Sequence, residues 1–371
     1  MSDAREARRL IYLSGFEYPS THGHPLHALS MARAFSSVLG DNFLFVIGGG
    51  VRHPALAGVQ HASPFGGAFA LLRTLHLRAL GSALWLLWFL LRNPSWREDL
   101  IVFTNEPKMA RMLALLSFVF PLRYVLEVHG PASSLALSRA HRLVFVTTGL
   151  LEENAAYAKK GSVIGNAVDA DQFSEPRDEA LRAKLGIDLS ETVIGYVGRF
   201  RPMDSDKGVD FMLEALPSLP EDVSILLVGG TEEELDRLRV RSEELAVADR
   251  THLVAHIPFD ERFAYFTAAD ILAYVPPKED RFLARETSPM KLYEYMAARR
   301  PIIASDFPAF REALPGGAAY LIRPGSVDEY CSAVESIHAH SEEAAARVEN
   351  AYEVACENSW IRRAEHILEL L

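Results

Sequence analysis

The sequence predicts an α/β protein of two doubly wound domains, each a parallel sheet covered by helices on both faces. Three observations carry this reading. Short apolar runs of strand length alternate with segments of helical period along most of the chain. The runs are apolar throughout rather than alternating, as strands buried on both faces require. The pattern breaks once, in a polar stretch near residues 170–190, and then restarts. At 371 residues the chain exceeds one ordinary core and fits two domains.

Taken in order, the first strand is LIYLSG (10–15), followed by the loop FEYPSTHGHP. In LHALSMARAFSSVL, Leu26, Leu29, Ala32 or Arg33, and Phe35 fall on one helical stripe. FLFVIGG, LIVFTN, YVLEVHG and LVFVTT are the next strands. A helix from Lys108 to Phe120 precedes YVLEVHG, and a further helix precedes SVIGNAVD. DADQFSEPRDEALRAKLGIDLSETV is polar and carries turn residues, so it reads as a linker. The second half then runs IGYVGR, a helix at 208–217, SILLVGG, a helix near 231–245, HLVAHIP, a helix at 260–268 and ILAYVPP. ETSPMKLYEYMAARRPIIASD and AYLIRP close the pattern. The expected domains are 1–175 and 185–356. Ligands of open α/β sheets collect at the carboxyl ends of strands, so two such sheets facing one another are expected to enclose a cleft.

Composition narrows the class. The chain is 49% apolar and 23% charged, with a formal net charge of −11 and no basic stripe, which argues against a nucleic-acid binder. Its two cysteines, Cys331 and Cys356, lie inside helical patterns, so neither a disulfide framework nor a zinc site is indicated. The first residues, MSDAREARRL, lack the apolar core of a secretory signal, and a cytoplasmic enzyme is the expected class.

Residues 68–91, AFALLRTLHLRALGSALWLLWFLL, are the most apolar stretch, interrupted by Arg73, His76 and Arg78. The uncharged run from Ala79 to Leu91 falls short of the roughly 20 residues needed to span a bilayer. One reading is a buried crossover helix. The other is a helix lying in the membrane interface, with Arg73, Arg78 and Arg92 toward lipid head groups and contact through 68–92.

Dinucleotide and P-loop fingerprints are absent from the expected places, as are G-x-S-x-G and H-E-x-x-H. What remains is a set of charged residues at strand ends. Gly198 and Arg199 follow IGYV, and Lys207-Gly208 open the next helix. A lysine at a helix N-terminus opposes the macrodipole, and a bound anion such as phosphate resolves that conflict. A solvated loop lysine is the alternative. Ser288 reads as an N-cap with Pro289 at the first helical position, so the amides near Pro289 and Met290 can bind phosphate. Leu292, Tyr295 and Met296 form the core stripe, leaving Lys291 and Glu294 on another face. Glu294 lies about 7.5 Å along the axis from Pro289, a distance suited to a ribose beyond a diphosphate. Pairing of Glu294 with Lys291 on the surface is the alternative. His129 and Gly130 follow YVLEV at a strand end, where a histidine serves either structure or chemistry.

Together these segments resemble the retaining glycosyltransferases of the GT-B fold, glycosyltransferase family 4. GYVGRF…DKGVDFMLEAL is similar to the family's strand, Gly-Arg, Lys-Gly and helix unit, which implies that Arg199 and Lys207 hold a nucleotide diphosphate beside Gly198. SPMKLYEYMAARRPIIASD resembles the donor helix, which implies Ser288, Pro289, Met290 and Lys291 at the diphosphate and Glu294 at the ribose. EVHG implies that His129 lies near the transferred sugar. VIGNAVDADQF resembles the segment closing the first domain, through Asn166, Asp169 and Phe173. NSWIRRAEHILELL resembles the final helix that packs back on the first domain, here 357–371 with Trp360 at its start.

The sequence departs from the family at three turns. Arg299-Arg300-Pro301 replaces small-Gly-Pro, Gly165-Asn166-Ala167 replaces Pro-Asn-Gly, and the first loop keeps only Gly15 and Gly23 as its glycines. Glu286 is either the sugar-contacting carboxylate or a coincidence of a variable loop.

The resemblance implies two Rossmann-like domains and transfer of a hexose from a UDP- or GDP-linked donor to a glycan or lipid-linked acceptor in cell-surface polysaccharide or glycolipid assembly. It implies retention of configuration, with His129, Glu286, Arg199 and Lys207 at the chemistry. No cofactor or metal beyond the nucleotide-sugar co-substrate is expected. A catalytically silent sugar-nucleotide-binding subunit and a sugar-nucleotide epimerase are the rival readings.

Overall fold

In the computed structural model of the chain, residues 8–16, 23–48, 56–64, 77–173, 177–201, 206–258, 261–278 and 281–371 are described. Residues 68–76 of the apolar stretch, with Arg73 and His76, lie outside them, as does most of the first loop.

The first sheet has seven strands: β1 (Arg9–Ser14), β2 (Phe43–Ile47), β3 (His61–Ala62), β4 (Leu100–Thr104), β5 (Arg123–Val128), β6 (Arg142–Phe145) and β7 (Gly161–Val163). All pairs are parallel, in the order β3-β2-β1-β4-β5-β6-β7. The central runs owe their apolar character to burial on both faces; Ile11, Tyr12, Leu13, Val102 and Phe103 have no exposed surface.

The second sheet has six parallel strands: β8 (Thr192–Val197), β9 (Val223–Gly230), β10 (Thr251–Ala255), β11 (Ile271–Tyr274), β12 (Ile302–Ser305) and β13 (Tyr320–Ile322). Their order is β10-β9-β8-β11-β12-β13. The order reverses between β1 and β4 in one sheet and between β8 and β11 in the other. Ligands of open α/β sheets collect beyond the strand ends at such switch points.

The connecting helices are α1 (Gly23–Leu39), α2 (Arg78–Arg92), α3 (Pro107–Leu116), α4 (Ser134–Arg139), α5 (Thr148–Glu153), α6 (Glu179–Leu185) and α7 (Val209–Ala215). They continue with α8 (Glu232–Glu244), α9 (Arg262–Ala268), α10 (Met290–Ala297), α11 (Pro308–Ala313), α12 (Val327–Ala339), α13 (Ser341–Glu357) and α14 (Trp360–Glu369).

The chain divides into two units, 1–165 with 360–371, and 166–359. The first division thus falls ahead of the expected 175–185 boundary, because 166–173 packs with the second unit: Val168 N–H donates to Asn358 O at 3.0 Å, and Val168 and Phe173 enter that unit's core. The last helix joins the first unit from Trp360 rather than from 357, since α13 runs on to Glu357.

The polar stretch read as a linker contains α6. Asp178 caps it by accepting from Leu181 N–H at 2.9 Å, and Gly186 closes it in the left-handed conformation. Arg182 on this helix is fully buried: Nε donates to Ala268 O at 2.8 Å and Nη2 to Asp270 at 2.5 Å. Leu181 and Leu185 pack against the core from the same helix, an apolar pair too short to stand out in a polar stretch.

Within the described part of the apolar stretch, α2 is buried on one face and open on the other. Trp85, Leu86 and Leu90 of α2 enter the core, while Leu77, Leu80, Leu84, Trp88 and Leu91 are exposed at successive helical turns. No helix among the described residues is long and apolar enough to cross a membrane.

Candidate functional site

The second unit gathers its charged residues beyond the switch point. From β8 the chain passes Gly198 and exposed Arg199, whose carbonyl accepts from the Tyr196 hydroxyl at 2.8 Å. It then reaches Lys207, whose side chain is buried, and Gly208 at the start of α7. Gly208 has φ +96°, and a Cβ there would come within 2.5 Å of the Val275 backbone at the end of β11. The lysine loop is therefore pressed against the neighbouring strand end. Asp206 accepts from Gly208 N–H at 2.9 Å, and burial holds its carboxyl above the usual range.

From the other side of the switch point, Lys291 on the first turn of α10 reaches back to β8. Its Nζ donates to Val197 O at 2.8 Å and lies 4.8 Å from the centre of the Tyr196 ring. Any side chain at Gly198 would occupy the space that Nζ takes. Burial lowers the Lys291 ammonium to about 8; Glu294 acts in the opposite direction, while Arg262 and Lys207 lower it further.

Glu294 is not the surface partner of Lys291. It is buried and accepts from Arg262 Nη2 at 2.7 Å. Lys291 thus feels two further cations, Arg262 and Lys207, against the one carboxylate of Glu294, an excess of positive charge that a bound anion relieves.

Ser288 does not cap α10. Pro289 occupies the cap position, and Ser288 Oγ instead accepts from Asn166 N–H at 2.9 Å, while the Asn166 amide donates to Ser288 O. The serine is claimed by the chain entering the unit, so the amides at Met290 and Lys291 are left without a side-chain cap. Glu286 ends a single π turn, Phe282–Glu286, and is buried with its Oε1 2.8 Å from Arg281 Nε. The π turn sits directly before the loop that leads into α10.

Gly23 and His129 belong to the first unit, where Gly23 opens α1. His129 follows β5 and lies 3.3 Å, Nε2 to Oε2, from buried Glu127. His27 Nε2 reaches the same oxygen at 3.0 Å. Arg363 of α14 donates to the other oxygen, Oε1. Burial opposes the Glu127 charge, but Arg363 and then the two histidines overcome it and hold the carboxyl well below the usual range. His129 is lowered, first by burial. The ligand atoms of His27, Glu127 and His129 lie within 4.8 Å of one another, a spacing a metal could use. The guanidinium of Arg363 already supplies the cation that balances this carboxylate.

Arg262, Glu127, His27 and Arg363 were not legible as site residues. Glu127 had one signal, its place near the end of β5 two residues before His129. Arg363 had another, a charge on the buried stripe of α14 with Trp360, Ala364 and Ile367.

Residues 177–354 match the family described as glycosyl transferases group 1. A D-inositol 3-phosphate glycosyltransferase of Mycobacterium sp. (strain JLS) is 30% identical over 167 residues, covering 44% of this chain and 34% of the relative. The match therefore spans about a third of that relative's length. Among solved structures, a glycosyltransferase from Rickettsia africae ESF-5 superposes with a TM-score of 0.76 at 16% identity, covering 98% of this chain and 97% of the other. HepE of Anabaena, in complex with UDP and glucose, superposes with a TM-score of 0.73 at 17% identity, covering 98% of each chain. The match to the glycosyl transferases group 1 family thus lies within the second unit, and the two-sheet architecture of the whole chain is the GT-B fold.

Proposed function

We propose that the protein is a retaining glycosyltransferase that moves a hexose from a UDP- or GDP-linked donor to a glycan or lipid-linked acceptor. The observation that carries the reading is the excess of positive charge that Arg262 and Lys207 add at Lys291, against the one carboxylate of buried Glu294, at the second switch point. Departure of a nucleoside diphosphate develops negative charge, and fixed cations with free helix amides stabilise it without reorganisation. Arg199 and Lys207 hold the diphosphate, the start of α10 adds its amides and dipole, and Glu294 takes the ribose hydroxyls with Arg262 fixing its carboxylate. His129 and Glu286 contact the sugar. Retention is assigned to attack on the face the leaving group vacates, with no divalent cation invoked.

HepE, in complex with UDP and glucose, has this fold, and that supports a UDP-linked donor first. The exposed stripe of α2 favours an acceptor presented at the cytoplasmic face of a membrane, with Arg92 stacked on Trp88 at 4.9 Å.

Calorimetric titration with UDP and GDP, and scoring of slow hydrolysis of their hexose conjugates, test the donor site. Arg199→Ala and Lys207→Ala should each weaken nucleotide binding about tenfold or more, the loss of one charge-assisted hydrogen bond. Unchanged affinity in both removes the diphosphate site; tight binding with no turnover of any donor leaves a silent nucleotide-binding subunit. Flotation with anionic vesicles tests the membrane contact: the intact protein should float and Trp88→Ser, Leu91→Ser should not.

A further inference from the structure

Ser288-Pro289 has the composition of a helix start, and a capping serine there would set its hydroxyl on the amides two and three residues on. In the structure that hydroxyl is engaged elsewhere. Ser288 is buried and held at two polar atoms by Asn166, the first residue of the second unit. Asn166 N–H donates to Ser288 Oγ at 2.9 Å, and the Asn166 side-chain amide donates to Ser288 O. Ser288 Oγ in turn donates to the Tyr293 hydroxyl at 3.5 Å. Asn166 is itself buried, and 122 positions separate it from Ser288 in sequence. Leu292 N–H donates to Pro289 O at 3.0 Å. The two amides ahead of it, Met290 and Lys291, have no side-chain cap and donate to no carbonyl among the described residues.

Two placements of the Ser288 hydroxyl exclude one another. Turned onto the Met290 or Lys291 N–H, it satisfies the helix start from within the chain. Turned to Asn166, it leaves the same amides, and the positive end of the helix dipole, open to an anion. The Asn166 side chain selects the second placement, because its bond to Ser288 O keeps the hydroxyl beside the Asn166 N–H. We infer that Asn166 is a positioning residue of the donor site, which holds Ser288 off the helix cap so that a diphosphate takes the cap's place. The inference rests on the reading that the start of α10 meets the diphosphate. It makes Ser288 a restrained competitor of the diphosphate rather than one of its ligands. With the serine restrained, a phosphate oxygen meets those amides without first displacing a hydroxyl.

Hydrogen exchange resolved to the Met290 and Lys291 amides, in the full chain without nucleotide, tests the hold on Ser288. Exchange should be fast in wild type, slower at one or both amides in Asn166→Ala, and fast again once Ser288→Ala is added. Calorimetric titration with UDP and with uridine tests the consequence for binding. Asn166→Ala should weaken UDP about fivefold, the effect of one hydroxyl cap to displace, and change uridine, which carries no phosphate, less than about twofold. Adding Ser288→Ala should recover most of that loss. A double variant that binds UDP no better than Asn166→Ala overturns the inference, as does exchange at both amides that Asn166→Ala leaves unaltered or speeds. Equal weakening of UDP and uridine overturns it too, because that marks a general disturbance of the unit. Wild type binding UDP no more tightly than uridine refutes instead the placing of a diphosphate at α10, and the exchange measurement still scores the role of Asn166. If Asn166→Ala does not fold, the near-isosteric Asn166→Asp, whose carboxylate has no donor for Ser288 O, carries the exchange comparison.

Discussion

Lys291 carries a charge that burial makes easy to lose, and its ammonium sits at about 8. A diphosphate beside it favours the protonated form and raises that value, so binding takes up a proton once the free protein has begun to lose it. Nucleotide affinity should therefore be flat below about pH 8 and fall above it, by up to about tenfold per pH unit. Titration with UDP at several pH values checks this, and Lys291→Met should remove the step. A second residue-scale expectation concerns Gly208. Alanine there meets both a positive φ and the Val275 backbone, so Gly208→Ala should cost about 1–3 kcal/mol in urea unfolding and weaken nucleotide binding by displacing Lys207. At this scale the sequence named the lysines and Glu294 but not their partners. Arg262 lies 32 residues from Glu294, and nothing in a local pattern joins them.

At the scale of elements, strands were the most legible. Runs such as Tyr12, Val102 and Val193 are apolar because both faces are covered, and that requirement writes itself into contiguous residues. Helix ends were less so. Ser288-Pro289 has the composition of a cap, yet Ser288 is taken by Asn166, more than a hundred residues away in sequence. Helix α6 was hidden because it is short, with only Leu181 and Leu185 as its apolar pair and its fully buried residue an arginine, Arg182. Removing that guanidinium takes the closest partner from half-buried Asp270 and the donor from the Ala268 and Glu191 carbonyls, so Arg182→Leu should destabilise the second unit by about 2–4 kcal/mol. Chemical unfolding monitored by circular dichroism measures it; a change under 1 kcal/mol would mean that Asp270 finds enough support elsewhere.

At the scale of the whole molecule, the chain visits its first unit twice. Helix α14 packs on α1, Arg8 donates to Leu368 O at 2.8 Å, and Arg142 donates to Leu370 O at 2.8 Å. Arg363 completes the Glu127 cluster from the same helix. Truncation after Ser359 should therefore destabilise the first unit while leaving the second, though the cut lies at the end of the second. Limited proteolysis should then digest 1–165 and spare a fragment near 166–359. Equal loss of both would show that the units unfold together.

The sequence by itself determined the layer architecture, the parallel strands and the charged residues at strand ends. Burial on both faces, turn chemistry and helical period are all local constraints, and local constraints are recorded in neighbouring residues. Tertiary structure decided which charges meet. It set Arg262 on Glu294, Lys291 on the end of β8, and Arg363 beneath Glu127. Each of these pairs is separated by an intervening element or an entire unit of chain, and a charge buried at such a site is stabilised by a partner that only folding brings within reach.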